Sequence, residues 1–165
     1  MQGRKLILNR RGVALGLLLL AGGRSVHAAP CSPPTVLFVC PAGSVKSAIA
    51  REMLKRRAAE RRVSISVTSR GIHVEDHLSP GLRASLLADG IDPTAEPLRG
   101  LEPRDAAHAD ILIAFEEAAL APGLAQARVW DIPSWNSRYA EAKAATSSNI
   151  EALLDELGRR PCAVG

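Results

Sequence analysis

A cysteine closes an apolar run and a short glycine- and serine-containing loop follows it: residues 35–47 read TVLFVCPAGSVKS. A tight loop entering a helix N-terminus turns successive backbone N–H groups inward and makes an anion nest. Cys40 sits at the bottom of that nest, where a thiolate is stabilised and can attack phosphorus to give a phosphocysteine. Pro41, Ala42, Gly43, Ser44 and Val45 form the expected anion-binding loop, with Lys46 as its positive charge. Gly43 is free to take a positive φ, and the Ser44 and Ser47 hydroxyls can donate to sulfur or to a phosphoryl oxygen. A buried structural cysteine at a strand end is the plain alternative. The order strand, loop, helix favours the functional reading.

Other chemistry-bearing groups are less specific. His73 and His77 enclose Glu75 and Asp76 in GIHVEDHLSP. No third ligand accompanies them and the spacing is not diagnostic, so a solvated loop and no metal are expected. Glu116 and Glu117 end the third apolar run, either toward the ligand edge of a sheet or as the start of a solvated helix. Arg99 fixes a loop or pairs with an acid. Lys55, Arg56, Arg57, Arg61 and Arg62 read as one solvated helix face. No organic cofactor is implied.

The elements that must position Cys40 alternate between strand and helix signals. Residues 35–39 are a continuous apolar run, as in a strand buried on both faces. Residues 47–61 carry Ile49, Met53 and Leu54 on one helical stripe, with Lys and Arg elsewhere. Residues 63–69 are rich in β-branched types and predict a second strand. A helix is expected over residues 82–88, closed by Gly90. A short helix in EPRDAAHAD leads into a third strand over residues 111–115, ARVWDIP supplies a fourth, and residues 149–160 a last amphipathic helix. Such alternation means an α/β fold, a doubly wound four-stranded parallel sheet with helices on both faces. Ligands bind at the carboxyl ends of such strands, where Cys40 falls.

Residues 1–29 carry a basic start, an apolar run from Val13 to Ala21 and small residues near Ala28 and Ala29, which is a signal-peptide pattern. Arg10 and Arg11 ahead of that run suggest a twin-arginine route, in an imperfect match. The run is far short of the ~20 residues that span a bilayer, so no stable membrane insertion is expected after cleavage. The expected location is periplasmic or secreted, with residues 30–165 as one α/β domain. The chain has 21 Lys and Arg against 17 Asp and Glu, but five of the bases and none of the acids lie in residues 1–29. The remainder is close to neutral, and with 3% aromatic residues it offers neither the charge nor the stacking surfaces for nucleic acid.

Three cysteines in an exported chain suggest one bridge and one free thiol. The first strand runs from Cys31 toward Cys40, and the last helix returns Cys162 toward the edge holding Cys31. A Cys31–Cys162 disulfide is therefore expected, worth about 4–5 kcal/mol in the chain-entropy model. Two unpaired thiols in the chain ends are the alternative.

From Thr35 to Leu157 the chain resembles the low-molecular-weight protein tyrosine phosphatase family, which includes thioredoxin-coupled arsenate reductases. The resemblance rests on the Cys40 loop and on VTSRGI, LLADGID, LRGLEPRDAAHADILIAFEE, VWDIPSW and YAEAKAATSSNIEALLDEL, in that order. It implies that Cys40 is the nucleophile, that Ser47 is its hydroxyl partner, and that the ligand is phosphate or a phosphorylated small molecule or protein. Two departures stand out. The family's loop has arginine at Lys46, so a planar fork is replaced by a point donor. The family's general acid is an aspartate followed by proline in the late loop, where Ser134 and Trp135 stand here; Asp131 lies three residues earlier and serves only if that loop folds differently. Trp135 is expected to line the entrance, as an aromatic residue does in relatives. A missing acid costs ~10²–10⁴ in rate and a lost transition-state clamp ~10²–10³. Weak or absent hydrolysis with retained oxyanion binding is the expectation, a non-catalytic oxyanion-binding module the alternative. Arsenate reduction needs further cysteines near the nucleophile, and none lies between Val45 and Pro161.

Overall fold

A computed structural model describes residues 32–159. The expected leader and both members of the expected Cys31–Cys162 bridge lie outside those residues.

Six residues, Thr35–Cys40, form β1 at an inner position of a parallel four-stranded sheet ordered β2-β1-β3-β4. Its neighbours are β2 (Ser66–Gly71) and β3 (Ile111–Ala114), and β4 (Arg128–Val129) pairs with β3 at the edge. Alternation along β1 divides the interior. Val36, Phe38 and Cys40 face one cluster, while Leu37 and Val39 face the other. Because Cys40 shares the parity of Val36 and Phe38, its side chain falls on the face covered by helix α1 (Lys46–Arg61), where the loop from β1 must land.

On that face α1 packs Ala48, Ile49, Ala50, Met53 and Leu54 inward. Helix α2 (Pro80–Ala88) adds Leu82 and Leu86, and the last helix, α4 (Tyr139–Leu157), adds Ala142, Ile150, Leu153, Leu154 and Leu157. Ser79 caps α2, accepting the Leu82 N–H at 3.2 Å. The opposite face is thinner. Ala106 of α3 (Pro103–Ala107) and Ala118 of a 3₁₀ turn (Glu116–Leu120) cover it together with Leu124.

The short fourth strand expected within residues 127–133 is Arg128–Val129, which ends there because Trp130 turns inward against Phe38 and Phe115 and the chain leaves the sheet. Three expectations need correction. The last helix begins at Tyr139, ten residues before the expected Asn149, since its first turns bury the small Ala142 and Thr146 rather than large apolar groups. The second strand starts at Ser66 and ends at Gly71, later than expected at both ends. The basic face of α1 is not simply solvated. Arg57 and Arg61 bind Glu151 and Asp155 of α4, Lys55 binds Glu96, and Arg56 donates to the Asp89 carbonyl at 2.7 Å. The Arg57 and Arg61 pairs tie α1 to α4.

Candidate active site

The strand β1 delivers Cys40 to the carboxyl edge of the sheet, 3% exposed at the floor of a cavity of about 320 Å³. Its sulfur accepts a hydrogen bond from the Gly43 N–H at 3.1 Å and lies 3.1 Å from the Ser47 hydroxyl oxygen. Ser47 has one proton and three candidate acceptors: Cys40, the Gly43 carbonyl at 3.2 Å and the Arg70 carbonyl at 3.4 Å. A thiolate draws that proton; a thiol can instead donate to Ser47 and release the hydroxyl to the carbonyls.

The loop holds its shape because its outer edge is stitched to the segment after β2. The carbonyls of Cys40, Pro41 and Ala42 accept from Ile72, His73 and Glu75 N–H at 3.2, 2.9 and 3.1 Å. Gly43 has φ +81°, which L side chains rarely adopt. A Cβ on Gly71 would stand 2.7 Å from the Ala42 carbonyl oxygen, so only glycine lets β2 end this close to the loop. Arg70 fixes that end with two bonds to Asp105 of α3, at 2.8 and 2.9 Å. Partial burial pushes the Asp105 carboxyl up, but the Arg70 bonds and charge prevail and hold it below the ordinary carboxylate range.

Lys46, the first residue of α1, lines the cavity, yet its ammonium is already engaged. Nζ donates to Glu116 Oε1 and to the Ile132 carbonyl, both at 2.7 Å. Three ammonium protons leave one for a bound anion. Glu116 reaches this position from a left-handed backbone, φ +55°, a conformation that costs a non-glycine residue about 1 kcal/mol or more. The Lys46–Glu116 pair stands between the Cys40 cavity and a second depression, since both residues line both.

Of the late loop's groups, Ser134 lines both hollows and Trp135 the Cys40 cavity, Trp135 being 2% exposed with its ring edge-on to Tyr139 at 5.5 Å. Asp131 lines the second depression instead. Tyr139 anchors the loop's far side by donating to the Asp89 carboxylate, which also receives Lys143 at 2.7 Å. Burial, reinforced by the Asp89 hydrogen bond and charge, pushes the Tyr139 phenol up to about 12.

Residues 35–147 match the family model described as low molecular weight phosphotyrosine protein phosphatase. The chain belongs to that family. No curated protein gave a significant match. Among solved structures, YfkJ from Bacillus subtilis is similar with TM-score 0.66 and 20% identity over 79% of this chain and 98% of that one. An arsenate reductase in the phosphate-binding state is similar at TM-score 0.62 and 22% identity, over 75% of this chain and 98% of its own. The YwlE arginine phosphatase with a phosphorylated active-site serine follows at TM-score 0.63 and 15% identity, over 77% and 97%. At these identities the likeness establishes the phosphatase-family fold, with Cys40 on its strand-loop-helix turn.

Of the residues that the sequence singles out, the structure brings Cys40, the 41–45 loop, Lys46 and Ser47 together with Ser134 and Trp135, and leaves Asp131 aside. Four cavity residues were not assigned to the site from sequence: His77, expected in a solvated loop, Asn136 beside Trp135, and Glu116 and Glu117, whose place at the ligand edge was one of two readings. A usable signal existed for His77 and the glutamates: they follow the parallel strands beside β1, and so emerge at the edge where Cys40 emerges. Arg99 enters through its backbone, its carbonyl accepting the Gly71 N–H at 2.9 Å. Among the described residues no cluster of three or more His, Cys, Asp or Glu is placed to hold a metal, and no helix is long and apolar enough to cross a membrane.

Proposed function

We propose that the chain binds the oxyanion of phosphomonoesters over Cys40 and hydrolyses them slowly through a phosphocysteine. The observation that carries this reading is the Cys40 sulfur, 3.1 Å from both the Gly43 N–H and the Ser47 hydroxyl at the floor of an open cavity. In this reading the thiolate attacks phosphorus, the loop amides and the remaining Lys46 N–H hold the equatorial oxygens, and Ser47 stabilises sulfur when it departs as an anion in the second step. Turnover is slow because an ammonium shared with Glu116 cannot reproduce the two-point grip of a guanidinium.

The test is turnover of nitrophenyl phosphate and trapping of a phosphoenzyme by acid quench. Activity and label both disappear in Cys40→Ser if the reading holds; turnover that survives Cys40→Ser contradicts it. A non-catalytic oxyanion binder is the second reading, favoured by the engagement of Lys46 and by the placement of Asp131 outside the cavity. It predicts phosphate binding without a phosphoenzyme. Arsenate reduction is disfavoured, because a thiol relay needs a second sulfur near the first and Cys40 is the only cysteine among the described residues. The pattern of residues 1–29 supports an exported protein, periplasmic or secreted, which N-terminal sequencing of the mature chain checks.

A further inference from the structure

An ester whose leaving group is a poor anion needs a proton for the departing oxygen. The late loop brings none into the cavity: Ser134 is a hydroxyl, and Asp131 lies in the neighbouring depression. Of the titratable side chains that do line the cavity, Cys40 is the nucleophile, and Lys46 and Glu116 hold each other at 2.7 Å. Glu117 and His77 remain. Histidine is the side chain most often used to pass a proton to or from a reacting group. Glu117 is open to water.

His77 is also the group whose backbone is built into the site. Its N–H donates to Ser44 Oγ at 3.0 Å, and Ser44 is 3% exposed inside the anion loop. Glu75, two residues earlier, is bridged to Gly43 of the same loop. Leu78 N–H closes onto Asp76 Oδ1 at 3.0 Å, and Ser79 Oγ reaches Asn136 of the late loop at 2.7 Å. The segment is therefore fixed on both sides of His77, although the imidazole itself is more than half exposed. Nε2 lies 2.7 Å from Glu75 Oε2, which orients the ring and leaves Nδ1 for a ligand.

We propose that His77, oriented by Glu75, is the proton donor to the departing oxygen of a phosphomonoester bound over Cys40. The inference rests on the phosphocysteine reading above. In the first step the Cys40 sulfur forms a bond to phosphorus, the phosphorus–oxygen bond to the leaving group breaks, and that oxygen takes the Nδ1 proton. The imidazole is left neutral with its remaining proton on Nε2, toward Glu75. In the second step water attacks phosphorus, the sulfur–phosphorus bond breaks to restore the thiolate, and the proton that water sheds is lost to solvent, from which the exposed imidazole regains its own. The cycle thus returns His77 and Cys40 to their starting states with no further reactant. The charged groups around the imidazole are Glu75 and Asp76 on its own segment, the latter 3.9 Å from Arg83 of α2, and Lys46, Glu116, Glu117 and Cys40 around the cavity.

The test compares phenyl phosphate, whose leaving group needs a proton, with dinitrophenyl phosphate, whose leaving group does not. Wild type, His77→Gln, Glu75→Gln and Cys40→Ser are assayed in the full chain across pH, with inorganic phosphate as competitor. His77→Gln is expected to lower kcat on phenyl phosphate by about 10²-fold or more and to change dinitrophenyl phosphate turnover and phosphate inhibition little. Glu75→Gln lowers the phenyl phosphate rate by about 10-fold, as loss of an orienting partner does. The alkaline limb of the wild-type phenyl phosphate pH profile disappears in His77→Gln. Equal losses on both esters, or no loss on phenyl phosphate, overturn the role of His77 while leaving the phosphocysteine intact. Turnover that persists in Cys40→Ser, or no turnover of either ester by wild type, overturns the underlying reading and the proton donor with it.

Discussion

Glu116→Gln should strengthen oxyanion binding, and the structure sets the scale. The Lys46 side chain is 13% exposed and Glu116 47%, with 2.7 Å between Nζ and Oε1. As a pair they contribute no net charge to the cavity; the amide leaves one positive charge and keeps an oxygen that can accept the Lys46 proton. Glu116 sits on the wet side of the pair, so the weak end of the Coulomb range applies, about 1 kcal/mol per pair of unit charges at contact distance in water. For a phosphate carrying between one and two negative charges that is about 1–2 kcal/mol, or roughly 5- to 30-fold in affinity. The assay is isothermal titration with phosphate and vanadate at low ionic strength, repeated at high salt, where the gain should shrink. An affinity unchanged at low salt, or lowered, would refute the reasoning, because it would mean that Glu116 does not compete with the ligand for Lys46.

Three further outcomes follow from single contacts. Gly71→Ala places a Cβ 2.7 Å from the Ala42 oxygen and should abolish phosphate binding with a loss of about 1–3 kcal/mol in stability, while Gly81→Ala, with nothing within 4 Å, leaves binding intact. Equilibrium denaturation and phosphate titration of the two variants check this. Thr146 is 1% exposed and its hydroxyl meets no partner among the described residues, so Thr146→Val should raise stability in urea by about 1–2 kcal/mol. Tyr139 is the chain's one tyrosine, so its phenolate absorbance reports directly that it titrates near 12. The folded value lies above the ordinary 10.0, so the contribution is complete below that pH and is lost as pH rises from there through about 12. Tyr139→Phe should remove that fall.

The strand-loop-helix turn was legible because three signals agree at Cys40. A doubly buried apolar run, a glycine that must take positive φ and an alternation that demands parallel strands all place the cysteine at one sheet edge. What escaped the sequence was governed by small residues and by long-range pairing. Ala142 and Thr146 bury as well as leucines do when α4 approaches closely, so a search for large apolar stripes begins the helix too late. Trp130 looked like strand because aromatic residues suit strands; its packing on Phe38 and Phe115 instead ends β4 after two residues. Lys46 was legible as a charge, but its engagement by Glu116 depends on a residue 70 positions away in a strained backbone. His77 was visible as a histidine and invisible as a cavity residue, since the Ser44 hydroxyl that fixes it is 33 positions earlier.

The proposed function depends most directly on Cys40 being a reactive sulfur inside a cradle shaped for a tetrahedral oxyanion. Alkylation by iodoacetamide, followed residue by residue by peptide mass spectrometry with and without phosphate or vanadate, tests it most directly. Labelling of Cys40 faster than that of free cysteine at the same pH, and slowed in proportion to the occupancy of the added oxyanion, is the predicted result. Labelling no faster than free cysteine, and indifferent to either anion, would contradict it.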